Sequence, residues 1–224
     1  MVEAAGIERA VKEDLEDALS HGILVSNLAA RLARKLGEDE AFCHEMARAG
    51  MMHDVGKLRL CEYLYGRSAG TLGIEEMKYM RLHPKLGREI LRESGEYSDL
   101  VIESVYHHHE NYNGSGYPDN LREDKIPYGA RILRTCDVFA ALVSNRPYRA
   151  SFDKDTAIKM MIEEVRHFDM KIFLAFLEMA YDEAFAEIEE LIQEGNEKRV
   201  FADAPIQEEE LIKLVQTDAS ECPV

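Results

Sequence analysis

The chain has 224 residues, 46% of them hydrophobic, which is enough for a continuous core, and a single globular domain is expected. Its 43 acidic residues against 27 basic ones leave a net charge of -16, which argues against long nucleic acid and anionic membrane as partners. A small anionic substrate stays open, because metal ions or a few arginines reverse the sign locally.

The N-terminus carries Glu3 and Glu8 instead of a basic, then apolar, leader. The stretch Ile172 to Ile188 is interrupted by Glu178, Asp182, Glu183 and Glu187, so it does not span a bilayer. Cys43, Cys61, Cys136 and Cys222 form no CxxC pair and read as reduced, structural thiols. A soluble cytoplasmic protein is the expectation.

Helical periodicity dominates, and no stretch alternates apolar and polar residues between turns as a sheet would need, so the fold class is all-α. Leu24, Leu28, Leu32 and Leu36 form a core-facing stripe on a helix over 23–36 that Gly37 ends. A second helix is expected over 41–58, with Phe42, Met46, Ala49, Met52 and Val55 inward and Gly56 weakening its end. A loop over 66–73 precedes a helix over 74–82, which stops before Pro84. Helices over 85–92 and 99–109 meet around Gly95. The segment Asn111 to Pro127, NYNGSGYPDNLREDKIP, is the longest irregular stretch, and loops of that length in compact domains are usually functional. Helix resumes over 128–144, again over 154–165 after an Asp153 cap, and over 173–193. Residues 1–194 form the catalytic domain in this reading, and 195–224 a tail with a short helix over 208–215.

The chemistry is concentrated in histidines and aspartates. In MMHDVGKL, Met51 to Leu58, helical spacing puts His53 and Lys57 on one face and Asp54 about 100° round from His53, a pairing suited to a polynuclear site in which the carboxylate bridges two ions. Lys57 would then stabilise charge on a phosphoryl oxygen or assist the leaving group. The alternative is a helix-terminal His-Asp pair with a solvated lysine. His83, His108, His109 and Asp137 supply further ligand types downstream, whereas His44, His107 and His167 read as structural. Mixed imidazole and carboxylate ligation suits iron, manganese or zinc.

These residues resemble the HD-GYP family, a branch of the HD metal-dependent phosphohydrolases. The likeness rests on His21, HDVGK at 53–57, HPKLG at 83–87, HHENYNGSGYP at 108–118, RILRTCDVFAALVSNRPYR at 131–149 and HFD at 167–169. It implies about seven packed helices around a central metal cluster and hydrolysis of cyclic di-GMP to linear pGpG and on to GMP. It implies His21, His53, Asp54, His83, His108, His109 and Asp137 as ligands of two divalent ions, iron or manganese before zinc, with Lys57 beside them. Gly116 and Tyr117 of the loop, with Arg146 and Arg149, match the substrate-binding positions; Gly114 and Gly116 would let a ligand approach closely. Arg131 reads as a structural ion pair and Arg134 as a solvated surface charge.

Three departures stand out. Asp17 occupies the position of a glutamate that helps bind a third metal in some members, and its arm is shorter. Asn113 replaces an aspartate and Met170 a proline. Regulation through a homodimer or a separate protein fits the absence of a regulatory domain before His21. Two other functions remain open at this point: an HD phosphohydrolase for another cyclic dinucleotide or nucleotide, and a nucleotide-sensing module without turnover.

Overall fold

The computed structural model describes the backbone of residues 2–64, 78–146 and 149–197, and the side chains of 18–60, 78–146 and 149–197. The expected loop over 66–73, the first four residues of the helix over 74–82, the side chain of Asp17 and the short helix over 208–215 lie outside the described residues.

The first helix, α1 (Val2–Lys35), is 34 residues and about 51 Å long, so it starts well before the expected residue 23 and carries His21 within it. It ends where Gly37 takes a positive φ of 88° and the Glu38 N–H returns to the Ala33 carbonyl at 3.1 Å. The Asp39 side chain then accepts the Phe42 N–H and opens α2 (Glu40–Met52). The two helices cross at backbone contact: a Cβ on Gly50 would lie 2.7 Å from the Cα of Ser26. That closeness brings the end of α2 beside His21.

The expected helix over 41–58 is interrupted. Residues 53–56 form turns with i to i+3 hydrogen bonds, Lys57 N–H to Asp54 O among them, before α3 (Lys57–Leu64) begins. Gly56 is seated on the next helix, α4 (His83–Ser94), where a Cβ would fall 1.9 Å from the His83 carbonyl oxygen and 2.5 Å from the Gly87 nitrogen. Only a residue without a side chain permits that contact. Ser98 caps α5 (Asp99–Tyr106), which stops at His107, three residues short of the expected end.

After a loop with one 3-10 turn, Glu123–Lys125, the central helix α6 (Tyr128–Val143) buries residues on nearly every side, from Gly129 and Ile132 to Phe139 and Val143. It packs against α1, α2 and α5, and against α7 (Lys154–Glu163) and α8 (Met170–Ala180). Asp153 caps α7 as expected, and Asp169 caps α8 with Met170 as its first residue.

The long helix expected over 173–193 is two helices. The chain turns at Tyr181 and Asp182, whose side chain accepts the Ala184 N–H, then passes through a 3-10 turn into α9 (Ala186–Glu197). The turn lets Phe185 enter the core 5.9 Å from Phe139, which a straight continuation would not. The core runs from Leu24, Leu28 and Leu32 through Met46 to Phe139, Phe173 and Phe176; Leu36 is only partly buried at its edge. Among the described residues there is no strand, only an isolated bridge between Arg146 and Arg149, and no helix is long and apolar enough to cross a membrane.

Candidate metal centre

His53 and His108 stand just past the ends of α2 and α5, and His83 opens α4 after a turn; each ring is held by a backbone carbonyl. His53 Nδ1 lies 2.7 Å from the Gly50 carbonyl oxygen, His83 Nδ1 2.7 Å from that of Met80, and His108 Nδ1 2.6 Å from that of Val105. Each carbonyl belongs to the residue three positions earlier, among those a helix leaves without partners at its C-terminal end. A carbonyl oxygen only accepts, so each Nδ1 carries the proton. Each Nε2 is then a lone pair turned toward the middle of the molecule.

Those lone pairs converge. His83 Nε2 and His108 Nε2 are 3.2 Å apart, two acceptors with no proton of their own to share, a contact that a cation between them relieves. His53 Nε2 is buried and has no hydrogen-bond partner; it lies 3.4 Å from Asp54 Oδ2 and 3.6 Å from Asp137 Oδ1. From α1 His21 Nε2 reaches Asp137 Oδ1 at 3.0 Å, and Asp137 projects from the buried middle of α6.

Three sets of ligand atoms lie within 4.8 Å of one another: His83, His108 and His109; His21, His53 and Asp54; His53, His108 and Asp137. Asp54 faces two of them, its Oδ1 3.3 Å from His83 Nε2 and its Oδ2 toward His53. All seven expected ligands therefore meet in one place, with an all-nitrogen-and-oxygen donor set that fits divalent transition ions. Asp17 lies on α1 one turn before His21. Lys57, the first residue of α3, does not share a helical face with His53, because the turn over 53–56 intervenes. Its Nζ pairs with Asp54 Oδ2 at 2.6 Å.

The loop over 111–127 folds beside the centre. The Tyr117 ring stacks on His109 with centroids 4.7 Å apart, and its N–H donates to the His109 carbonyl at 3.2 Å. Gly114 has a φ of 82°, and a Cβ there would meet the Arg122 side chain. Gly116 departs from the expected role. A Cβ on it would lie 2.3 Å from the Asn111 nitrogen and 2.5 Å from the His109 oxygen, so the missing side chain makes room for the chain's own backbone, not for a ligand. Asn113 accepts from Ser115 N–H at 3.1 Å and from its hydroxyl at 2.7 Å, which keeps the turn closed.

The arginines also divide differently. Arg146 lies close enough for its charge to act on His21. Arg149, expected at the substrate, donates to the carbonyls of Ala141 at 2.7 Å and Leu142 at 3.2 Å and lies over the Phe152 ring, a cap on the end of α6. Arg134 is not a solvated charge: its Nε donates to Asn111 Oδ1 at 3.0 Å and its charge acts on His109. Arg131 forms the expected ion pairs, with Asp169 at 2.6 Å and Asp124 at 3.0 Å.

Glu110 is the residue the sequence reading passed over. It is 1% exposed, and its two carboxylate oxygens accept the backbone N–H groups of Asp119 at 2.7 Å and Leu121 at 3.1 Å. It staples the far side of the loop behind the histidines. Its place in the HHENYNGSGYP run marked the segment, but no periodicity or spacing assigns it that role.

A profile of the family described as "HD domain" matches residues 6–172. The chain belongs to the HD domain family. A cyclic di-GMP phosphodiesterase of Pseudomonas aeruginosa is 34% identical over 167 residues, 75% of this chain and 40% of that protein. A 3'3'-cGAMP-specific phosphodiesterase of Vibrio cholerae is 32% identical over 174 residues, 77% of this chain and 33% of its own length. The chain thus spans well under half the length of these curated relatives. Among solved structures, an HDG"Y"P protein from Bdellovibrio bacteriovorus covers 74% of this chain, and 53% of itself, at a TM-score of 0.60 and 22% identity, a likeness of fold. The HD-GYP kinship read from the motifs and the all-α architecture both hold.

In this HD domain the electrostatics suit cation binding. Burial pushes His108 down to about 3, helped by His53 and His83, and pushes His83 down to about 4 against the pull of Asp54. Both therefore keep an unprotonated Nε2 at neutral pH. Burial opposes charge on Asp54 and Asp137 as well. Lys57 and His53 overcome it for Asp54, and His21 with His53 for Asp137, so both stay well below the usual carboxylate range. For His53 burial is outweighed by Asp54 and Asp137, which raise it to about 10. The field that draws a proton to that nitrogen draws a divalent cation equally.

Proposed function

We propose that the domain is a metal-dependent phosphodiesterase that hydrolyses cyclic di-GMP to linear pGpG and then to GMP. The observation that carries the reading is Asp54, one carboxylate set between His53 and His83, beside a His83–His108 pair whose Nε2 lone pairs oppose each other at 3.2 Å. His21, His53, Asp54 and Asp137 would hold one ion, and Asp54, His83, His108 and His109 the other, with iron or manganese favoured over zinc. Bound ions there supply Lewis acidity at the phosphodiester and an acidified water.

The chain's own residues do the rest. Lys57 Nζ, drawn to the rim of the centre by Asp54, carries charge and a proton to the leaving oxygen. The Tyr117 ring, stacked on His109, and Arg146, whose charge acts on His21, orient the nucleotide. Cyclic di-GMP is preferred because curated relatives over 30% identical are named for it, although another relative is named for 3'3'-cGAMP. A substrate panel including both separates the two.

The test replaces His53 and Asp54 with alanine in manganese- or iron-loaded protein and measures product and bound metal together. Turnover is expected to fall by about a thousandfold or more, with metal content falling beside it. Unchanged turnover would sink the reading.

A further inference from the structure

A helix leaves its last backbone carbonyls without partners. At the end of α6 side chains take them. Arg149 donates to the carbonyls of Ala141 and Leu142 and, at 3.4 Å, to that of Ser144, and Asn196 Nδ2 donates to the Val143 carbonyl at 3.0 Å. Asn196 stands on the last turn of α9, and none of the seven expected metal ligands lies on that helix.

The same asparagine also holds the segment that follows α6. Its Oδ1 accepts the Asn145 N–H at 2.7 Å, and its backbone carbonyl accepts from Asn145 Nδ2 at 3.1 Å. Asn145, 7% exposed, passes the restraint on: its Oδ1 accepts the Ser151 N–H at 2.9 Å. Within the loop that this bond closes, the Arg146 N–H donates to the Arg149 carbonyl at 2.8 Å and the Arg149 N–H to the Arg146 carbonyl at 3.0 Å. The turn that carries Arg146 is therefore tied at its base by Asn145, and Asn145 is tied to α9 by Asn196.

Asparagine suits the task because its short, planar amide offers an acceptor and a donor together. One side chain grips an N–H of the loop and a carbonyl of α6 and fixes the spacing between them. None of these bonds uses the Arg146 guanidinium, whose charge acts on His21 in the centre. A binding group loses affinity steeply when the backbone that presents it shifts. Resting on the reading above in which Arg146 meets the nucleotide, we propose that Asn196 is a positioning residue for substrate binding, which holds the Asn145–Ser151 segment against the end of α6 and so sets where the Arg146 guanidinium stands. The last described helix then has a part in the site without sending a side chain into it.

Steady-state kinetics on cyclic di-GMP, bound metal and thermal melting are measured on the full manganese-loaded chain for Asn196→Ala, Arg146→Ala and the double variant. Asn196→Ala is expected to lower Tm and to raise KM about fivefold or more, with kcat and bound metal at parental levels. In the Arg146→Ala background it is expected to lower Tm as before and to leave KM where Arg146→Ala has put it. A lowered Tm with parental KM overturns the proposal, since Asn196 then only stabilises the fold. A KM that rises by the same factor in both backgrounds overturns it too, since Asn196 then does not act through Arg146. Should Asn196→Ala not fold, Asn196→Asp keeps the acceptor for the Asn145 N–H and loses the donor to Val143. It is expected to raise KM by a smaller factor that also vanishes in the Arg146→Ala background, and a parental KM for Asn196→Asp overturns the proposal. If the unsubstituted chain does not cleave cyclic di-GMP, or Arg146→Ala itself keeps the parental KM, the reading of the site falls first and this proposal falls with it.

Discussion

Replacing Glu110 tests how the loop is held. The side chain is buried, and it accepts two backbone N–H groups from residues just beyond the Gly-Tyr-Pro turn. A hydrogen bond to a charged acceptor contributes about 1.5–3 kcal/mol, and since Asp119 is exposed, water replaces part of what is lost; the lower end, about 3 kcal/mol for the pair, is the working figure for Glu110→Ala. For a chain of this size that corresponds to a fall in Tm of roughly 6–12 °C. Glu110→Gln keeps one acceptor but turns an NH2 toward the other N–H, so it should lose about half as much. The same release frees Tyr117, so KM for cyclic di-GMP should rise more than kcat falls, while His108 and His109 keep their carbonyl and ring contacts and metal content holds. Thermal melting and steady-state kinetics on manganese-loaded protein decide it. A Glu110→Gln variant with parental Tm and KM would refute the argument.

Gly56→Ala should be among the most damaging single changes, because its Cβ would meet backbone atoms of His83 and Gly87 that no rotamer change can move; a loss of about 3 kcal/mol or more, seen by denaturant titration together with reduced metal uptake, is expected. Arg149→Ala should lower stability by about 1–3 kcal/mol through the freed carbonyls of Ala141 and Leu142, with a smaller effect on KM than Arg146→Ala, and the reverse ranking in kinetics would return Arg149 to the substrate. Chelator-treated protein should melt at lower temperature as pH falls from 7 to 5. His83 and His108, held at about 4 and about 3 in the fold, stay neutral while the unfolded chain takes up protons below its ordinary 6.5, so each costs about 2 kcal/mol at pH 5; His53, raised to about 10, is protonated in the fold across that window and offsets only a little. A Tm that is flat or rises on acidification would contradict the burial of those rings.

Much of the centre was legible because ligand chemistry needs particular residue types: His21, His53, Asp54, His83, His108, His109 and Asp137 could be named before any geometry, and the fold brings all of them together. Apolar periodicity found most helices but misjudged their ends. It sees a stripe such as Leu24 to Leu32 and does not see a side chain that satisfies a terminal carbonyl, so the stops at His53 and His107 were invisible. The break at Asp182 was hidden for a similar reason, since the acidic face of α9 continues the amphipathic pattern of α8 across the turn. Arginine roles were least legible. Arg134, read as a solvated charge, bonds Asn111, and Arg149 holds the end of α6, contacts that depend on loop paths a linear pattern does not encode. Gly116 was read as space for a ligand, when the space is filled by the backbone from His109 to Asn111.

The link between helix ends and ligand rings ties folding to metal affinity. Each of His53, His83 and His108 spends its Nδ1–H on a carbonyl three residues back, and that bond both fixes the orientation of Nε2 and completes the helix or turn behind it. In the folded chain the converging lone pairs of His83 and His108 are a cost that a cation repays, so ions that bind the fold and not the unfolded chain stabilise it by mass action. The centre is therefore an element of the core as much as a place for chemistry: α1, α4 and α6 each send one residue to it and the turns that follow α2 and α5 send the other four, so ions held there would tie these segments together.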